Sequence, residues 1–157
     1  MRYIFDLDHT VIDSSHRQAT LPDGSLDLDH WRENSTAGMI RRDKLLPLAR
    51  AWREQFARGN EIVVCTARVI GQADMDYLAN AGLHFDALLS RQEGDRTPDG
   101  ELKLRMLKRY AMTKRGSWKR FCAFSIMFDD NQSVIETMNQ HGVKTYDAIE
   151  INARLSA

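Results

Sequence analysis

The chain has 157 residues, with 22 Lys and Arg against 22 Asp and Glu, 43% apolar residues and 28% charged ones. That length suits one domain with its own core and needs no disulfide or metal staple. There is no apolar run long enough for a bilayer and no signal-peptide pattern, and a formal net charge of zero removes any general pull toward nucleic acid. The protein is therefore expected in the cytoplasm, without a membrane and without an obligate protein partner.

Arg2 to Leu7 reads as a buried strand. Val11 to about Arg42 is irregular, with Pro22-Asp23-Gly24 at a turn and a short helix around Asp29 to Glu33. Asp43 or its neighbours cap a helix that runs to about Arg58, with Leu45, Leu46, Leu48, Ala49, Trp52 and Phe56 on its apolar face and Gly59 ending it. Glu61 to Thr66 is a second strand, Gln72 to Asn80 a helix closed by Gly82, and Phe85 to Leu89 a third strand. After a loop from Arg91 to Gly100 come a helix from Glu101 to about Lys114, a strand from Phe121 to Phe128, and a helix from Asn131 to Gln140 ended by Gly142. A short strand, Val143 to Tyr146, is the last clear element; the final ten residues carry no signal. Cys65 and Cys122 sit on apolar, strand-like runs and are expected to be reduced core residues.

Strand and helix alternating at this spacing predict an α/β fold: a Rossmann-like, doubly wound parallel sheet, with a small lid inserted after the first strand at about residues 14–42 of a single domain. Right-handed crossovers leave all strand C-terminal ends on one edge, where such folds bind ligands. The polar residues at those ends are Asp6, Asp8 and Thr10; Thr66 and Arg68; and Asp129, Asp130 and Asn131. Lys103 opens the helix before the fourth long strand. Two carboxylates at i and i+2 of a strand share a face and repel each other, so a pair such as Asp6 and Asp8 calls for a cation. Carboxylates, a hard cation, a hydroxyl, an ammonium and a guanidinium are together the parts of phosphoryl transfer.

These residues resemble the haloacid dehalogenase (HAD) superfamily of phosphatases: Asp-x-Asp-x-Thr after a strand, then strand-Thr, Lys and strand-Asp-Asp, spanning Tyr3 to Asp130. The resemblance implies Asp6 as nucleophile and Asp8 as general acid/base. It implies Mg²⁺ held by Asp6, the backbone carbonyl of Asp8, Asp129 and Asp130, with Thr66 and Lys103 binding the phosphoryl group. His9 stands where many members carry Gly, which implies backbone constraint at that position. A narrower resemblance, through Ile-Val-Val-Cys-Thr-Ala-Arg and Phe-Asp-Asp-Asn, is to the phosphatase domain of phage-type polynucleotide kinase-phosphatases, and it adds Arg68 to the phosphate-binding set. The kinase half is absent from this chain. The implied activity is hydrolysis of a phosphomonoester through an aspartyl-phosphate, on nucleotides or on nucleic-acid ends in the manner of a 3′-phosphatase. Another small phosphorylated metabolite, or a silent phosphate-binding module, is the alternative.

Several residues keep two readings. Arg91, Arg105 and Lys108 rival Lys103, and Arg68 is either a phosphate ligand or a surface residue. The acid-free stretch from Leu102 to Phe128, with Trp118 and Phe121, is read as a solvated helix face, with nucleic-acid contact as the alternative. Trp31 is expected to pack beneath the lid as its small core; the alternative is that it meets a base or second phosphate with His30, Arg41 and Arg42.

Overall fold

The computed structural model of the protein describes residues 1–157. In chain order the elements are β1 (Arg2–Phe5), β2 (Ile12–Asp13), a 3₁₀ turn (Ser15–Arg17), α1 (Leu28–Glu33), α2 (Ala37–Ile40), β3 (Lys44–Leu45), α3 (Leu48–Ala57), β4 (Glu61–Thr66), α4 (Gln72–Asn80), β5 (Ala87–Ser90), α5 (Asp99–Ala111), α6 (Trp118–Ala123), β6 (Ser125–Asp129), α7 (Gln132–Gln140), β7 (Lys144–Asp147) and α8 (Ala148–Ser156). Five of the strands form one sheet in the order β5-β4-β1-β6-β7, with every pairing parallel. This is the expected doubly wound α/β fold. The order reverses at β1, which lies between β4 and β6, so the crevice at its carboxyl end is where this topology binds ligands. None of the helices is long and apolar enough to cross a membrane.

Both faces of the sheet are covered, which is why its strands read as continuous apolar runs. Successive residues serve opposite faces. Phe5, Ile62 and Val64 join Trp52 and Leu78 in one core cluster, whereas Ile4, Val63, Cys65 and Met127 join Leu107 and Met138 in the other. On the first face the rings of Trp52, Phe5, Phe128 and Tyr146 stack in series at 5.1, 5.3 and 5.9 Å. This rigid aromatic row supports the ends of β1 and β6, where the acidic residues emerge. Both cysteines are free and buried, as expected.

The insert leaves between β2 and β3, which pair antiparallel with Ile12 opposite Leu45 and Asp13 opposite Lys44. That two-stranded clip brings the ends of the insert together beside β1.

Some elements differ from expectation, each for an identifiable reason. Asp43 does not cap α3. The helix starts at Leu48 after Pro47, and the Leu48 N–H donates to Asn152 Oδ1 at 2.8 Å. Asp43 is instead buried in an ion pair. Phe121, Cys122 and Ala123 are helical: Ser117 caps α6, and the strand begins only at Ser125. Cys122 thus lies on a helix rather than a strand. A short apolar run fits a buried helix or a buried strand equally well. Nine of the last ten residues form α8, capped by Asp147 through the Ile149 N–H at 2.9 Å. Trp31 does not form a core for the lid. Neither hydrophobic cluster contains it, α1 buries no residue, and the Arg17 guanidinium lies over its ring at 4.2 Å.

Candidate active site

β1 ends at Phe5, and the next residues turn sharply. The N–H groups of Thr10, Val11 and Ile12 all donate to the Leu7 carbonyl at 3.0–3.1 Å, and His9 adopts φ 60°. A left-handed residue is costly unless it is glycine, so the constraint expected at His9 is present. Leu7 is fully buried and anchors the turn. The turn also gives the two carboxylates different partners, so Asp6 and Asp8 are not a pair awaiting one shared counter-charge.

Asp6 points into a buried acidic cluster. Its Oδ1 accepts from Lys103 Nζ at 2.9 Å, and its Oδ2 accepts from Thr10 Oγ1 at 3.2 Å. Lys103, 2% exposed, also donates to Asp129 Oδ2 at 2.6 Å. α5 starts after Pro98, and its N-terminal half delivers this lysine to the carboxyl ends of β1 and β6. Burial opposes the ammonium charge, but Asp6 and Asp129 outweigh it and hold Lys103 protonated. Two of its sequence rivals are engaged elsewhere. Arg91 braces the loop through Ala67 O, Asp95 O, Thr97 O and Asp99, while Arg105 pairs with Asp95.

Asp6, Asp129 and Asp130 place carboxylate oxygens within 4.8 Å of one another. Burial, with Asp6 next to both, raises Asp129 and Asp130 well above the ordinary aspartate value. One lysine cannot neutralise three carboxylates, so the cluster suits a divalent cation with oxygen ligands. The Asp8 carboxylate is not part of it; its oxygens bond Ser14 and Arg68 instead.

Asp8 faces the root of the insert. Ser14 Oγ donates to its Oδ1 at 2.6 Å, and Arg68 Nε donates to its Oδ2 at 3.1 Å. Burial alone would raise Asp8, but the Arg68 charge and these hydrogen bonds hold it below the usual carboxylate range. Arg68 also donates through Nη1 to Asp74 at 2.6 Å. All of its donors thus face protein carboxylates, and it is buried, so the reading of Arg68 as a surface residue fails. Thr66, 1% exposed, ends β4 and accepts the Arg68 N–H at 3.0 Å, which shapes the turn that carries Arg68.

Four polar residues around this centre were not read as site residues in the sequence. Ser14 fixes Asp8. Asp74 binds Arg68 and accepts the Gly71 N–H at 2.9 Å, so it both starts α4 and orients the guanidinium. Asp43 and Arg17 form a two-bond pair at 2.9 Å, and Arg68 Nη2 lies 3.9 Å from Asp43 Oδ2. A polar residue three positions after Gly71 was a legible helix-start signal for Asp74. The other three depend on contacts that no local pattern reveals.

The model of the Bacteriophage T5 5′-deoxynucleotidase family matches residues 1–157. The 5′-deoxynucleotidase of Escherichia phage T5 is 32% identical over 171 residues, covering 98% of this chain and 69% of that protein. The chain belongs to the Bacteriophage T5 5′-deoxynucleotidase family. It is a phosphatase, and its fold is that of HAD-like hydrolases among solved structures. A haloacid dehalogenase-like hydrolase of Streptococcus pneumoniae superposes with a TM-score of 0.65 at 14% identity, covering 96% of this chain and 90% of that one. A chain of the Pnkp1/Rnl/Hen1 RNA repair complex superposes with a TM-score of 0.57 at 18% identity; 93% of this chain is covered, and it spans only 41% of that one.

Proposed function

We propose that this member of the Bacteriophage T5 5′-deoxynucleotidase family hydrolyses 2′-deoxynucleoside 5′-monophosphates, with Asp6 as nucleophile, Asp8 as acid/base and Mg²⁺ as cofactor, the whole chain acting as one phosphatase domain with a small lid over residues 14–42. The observation that carries this reading is the Lys103 bridge between Asp6 and Asp129, in a site where Asp130 completes the acidic cluster. The substrate is taken from the phage T5 relative, a 5′-deoxynucleotidase. A nucleic-acid 3′ end ranks second, because its support is fold likeness at 18% identity.

In the proposed cycle an Asp6 oxygen attacks phosphorus, the ester P–O bond breaks, and Asp8 delivers a proton to the departing sugar oxygen. Water then attacks the phosphorus of the acyl phosphate, Asp8 takes its proton, and the bond to Asp6 breaks to release inorganic phosphate. Bound between Asp6, Asp129 and Asp130, Mg²⁺ would offset the negative charge that gathers on the phosphoryl oxygens. Lys103 and Thr66 bind those oxygens. Arg68 keeps Asp8 ionised, which suits the base half of the cycle. The motif implies that Arg68 also binds the phosphoryl oxygens.

The test is phosphate release from deoxynucleoside 5′-monophosphates, 3′-phosphorylated oligonucleotides and sugar phosphates, with Mg²⁺ and with EDTA. The expected result is Mg²⁺-dependent release favouring the 5′-monophosphates, lost in Asp6→Asn with the circular dichroism spectrum intact. Full activity of Asp6→Asn, or full activity in EDTA, would overturn the mechanism.

A further inference from the structure

Trp31 stands apart from the other two tryptophans. Trp52 and Trp118 donate their indole N–H groups to the carbonyls of His84 and His141, at 2.7 and 2.9 Å. The Trp31 indole N–H has no protein partner and is not buried. The residue is half-buried and lies outside both hydrophobic clusters. A half-buried aromatic ring is ordinarily free to change rotamer, yet this one is held at its backbone and over its ring. Its own carbonyl accepts from Ser35 Oγ at 2.6 Å, and Ser35 Oγ accepts in turn from Arg17 Nη1 at 3.0 Å. The Arg17 guanidinium lies over the ring at 4.2 Å, fixed from behind by its two bonds to Asp43.

The ring is also next to the reaction centre. Arg68 Cζ lies 5.7 Å from the ring centroid, and the same guanidinium bonds Asp8. One arginine head therefore separates the ring from the acid/base carboxylate. That is the kind of span over which a nucleoside monophosphate carries its base from its phosphorus. A half-exposed aromatic ring fixed in this place is suited to stacking on a flat heterocycle, because every base offers a π-face.

We propose that Trp31 is the substrate-specificity residue of this site, stacking on the nucleobase of a bound nucleoside monophosphate, with the Arg17–Asp43 pair as its positioning support. The proposal rests on the nucleotide reading above and deepens it by naming the part of the protein that recognises the base.

The experiment compares kcat/KM for a 2′-deoxynucleoside 5′-monophosphate with that for 2-deoxyribose 5-phosphate, which has the same ester and no base. Wild type, Trp31→Ala and Trp31→Phe are measured in parallel. The expected result is a wild-type preference for the nucleotide that shrinks about tenfold in Trp31→Ala and is largely kept in Trp31→Phe, since one stacked base contributes on this scale. The loss is expected mainly in KM. If the wild type prefers the nucleotide and Trp31→Ala keeps that preference, the assignment of Trp31 is wrong. An equal fall on both substrates also overturns it, because the ring would then only shape the lid. A wild type with no preference for the nucleotide would instead remove the substrate reading itself.

Discussion

Replacing Asp43 by Ala is expected to be among the most damaging single changes outside the acidic cluster. The Arg17 and Asp43 side chains are both fully buried, and Arg17 donates from Nε and Nη2 to both carboxylate oxygens at 2.9 Å. Removing one partner of such a pair leaves an uncompensated buried charge and costs about 3–5 kcal/mol. For a domain of this size that lowers Tm by about 6–20 °C. The reverse change, Arg17→Met, should cost less, because Asp43 keeps His16 at 2.7 Å and has Arg68 at 3.9 Å. The double variant Arg17→Met with Asp43→Ala should recover part of the loss of Asp43→Ala alone, since no arginine is left buried without its anion. Thermal unfolding followed by circular dichroism measures all three, at neutral pH and fixed salt. If Asp43→Ala melts within about 2 °C of wild type, the pair is not the buried support of the lid described here.

Other outcomes follow from the same geometry. Asp129 and Asp130 titrate above 3.8 in the folded protein, so between the ordinary aspartate value and their raised values the folded state holds more protons than the unfolded one. Stability from this pair is therefore present at low pH and lost as pH rises toward neutral; in EDTA their contribution should lower Tm from pH 5 to pH 8, and added Mg²⁺ should raise Tm more at pH 8 than at pH 5. Lys103→Met removes the ammonium between Asp6 and Asp129, and phosphate release should fall at least about a hundredfold, as for loss of a group that stabilises transition-state charge. Phe5→Ala opens the stacked row between Trp52 and Phe128 and should cost about 3–5 kcal/mol in urea unfolding. The Cys65 thiol is pushed up to about 12 by burial, so a thiol reagent should label it only at the rate of unfolding.

Much of this protein was legible in its sequence where the cause is local. The parallel α/β sheet follows from apolar runs separated by amphipathic helices, and β4 and α4 have the limits their flanking glycines and polar residues suggest. The acidic residues at the ends of β1 and β6 come from adjacent positions in short motifs, so their meeting required only the right-handed crossover rule. Where a run of residues fits two structures, the local signal failed. Phe121 to Ala123 became helix because Ser117 caps it and the core accepts Phe121 and Cys122. α8 was missed although Asp147 caps it, because its docking depends on Asn152 bonding Thr10 O and the Leu48 N–H.

The pair Asp6 and Asp8 shows where the division lies. The sequence by itself determined that two carboxylates follow the first strand and that Thr66, Lys103 and a second acidic pair come later in the chain. Only the tertiary structure decided which cation each one meets. Lys103 reaches Asp6 from α5, and Arg68 reaches Asp8 from the turn after β4. Asp43 and Arg17, from opposite ends of the insert, join beside that arginine. Burial makes such pairings strong, and burial is a property of the packed chain rather than of any segment.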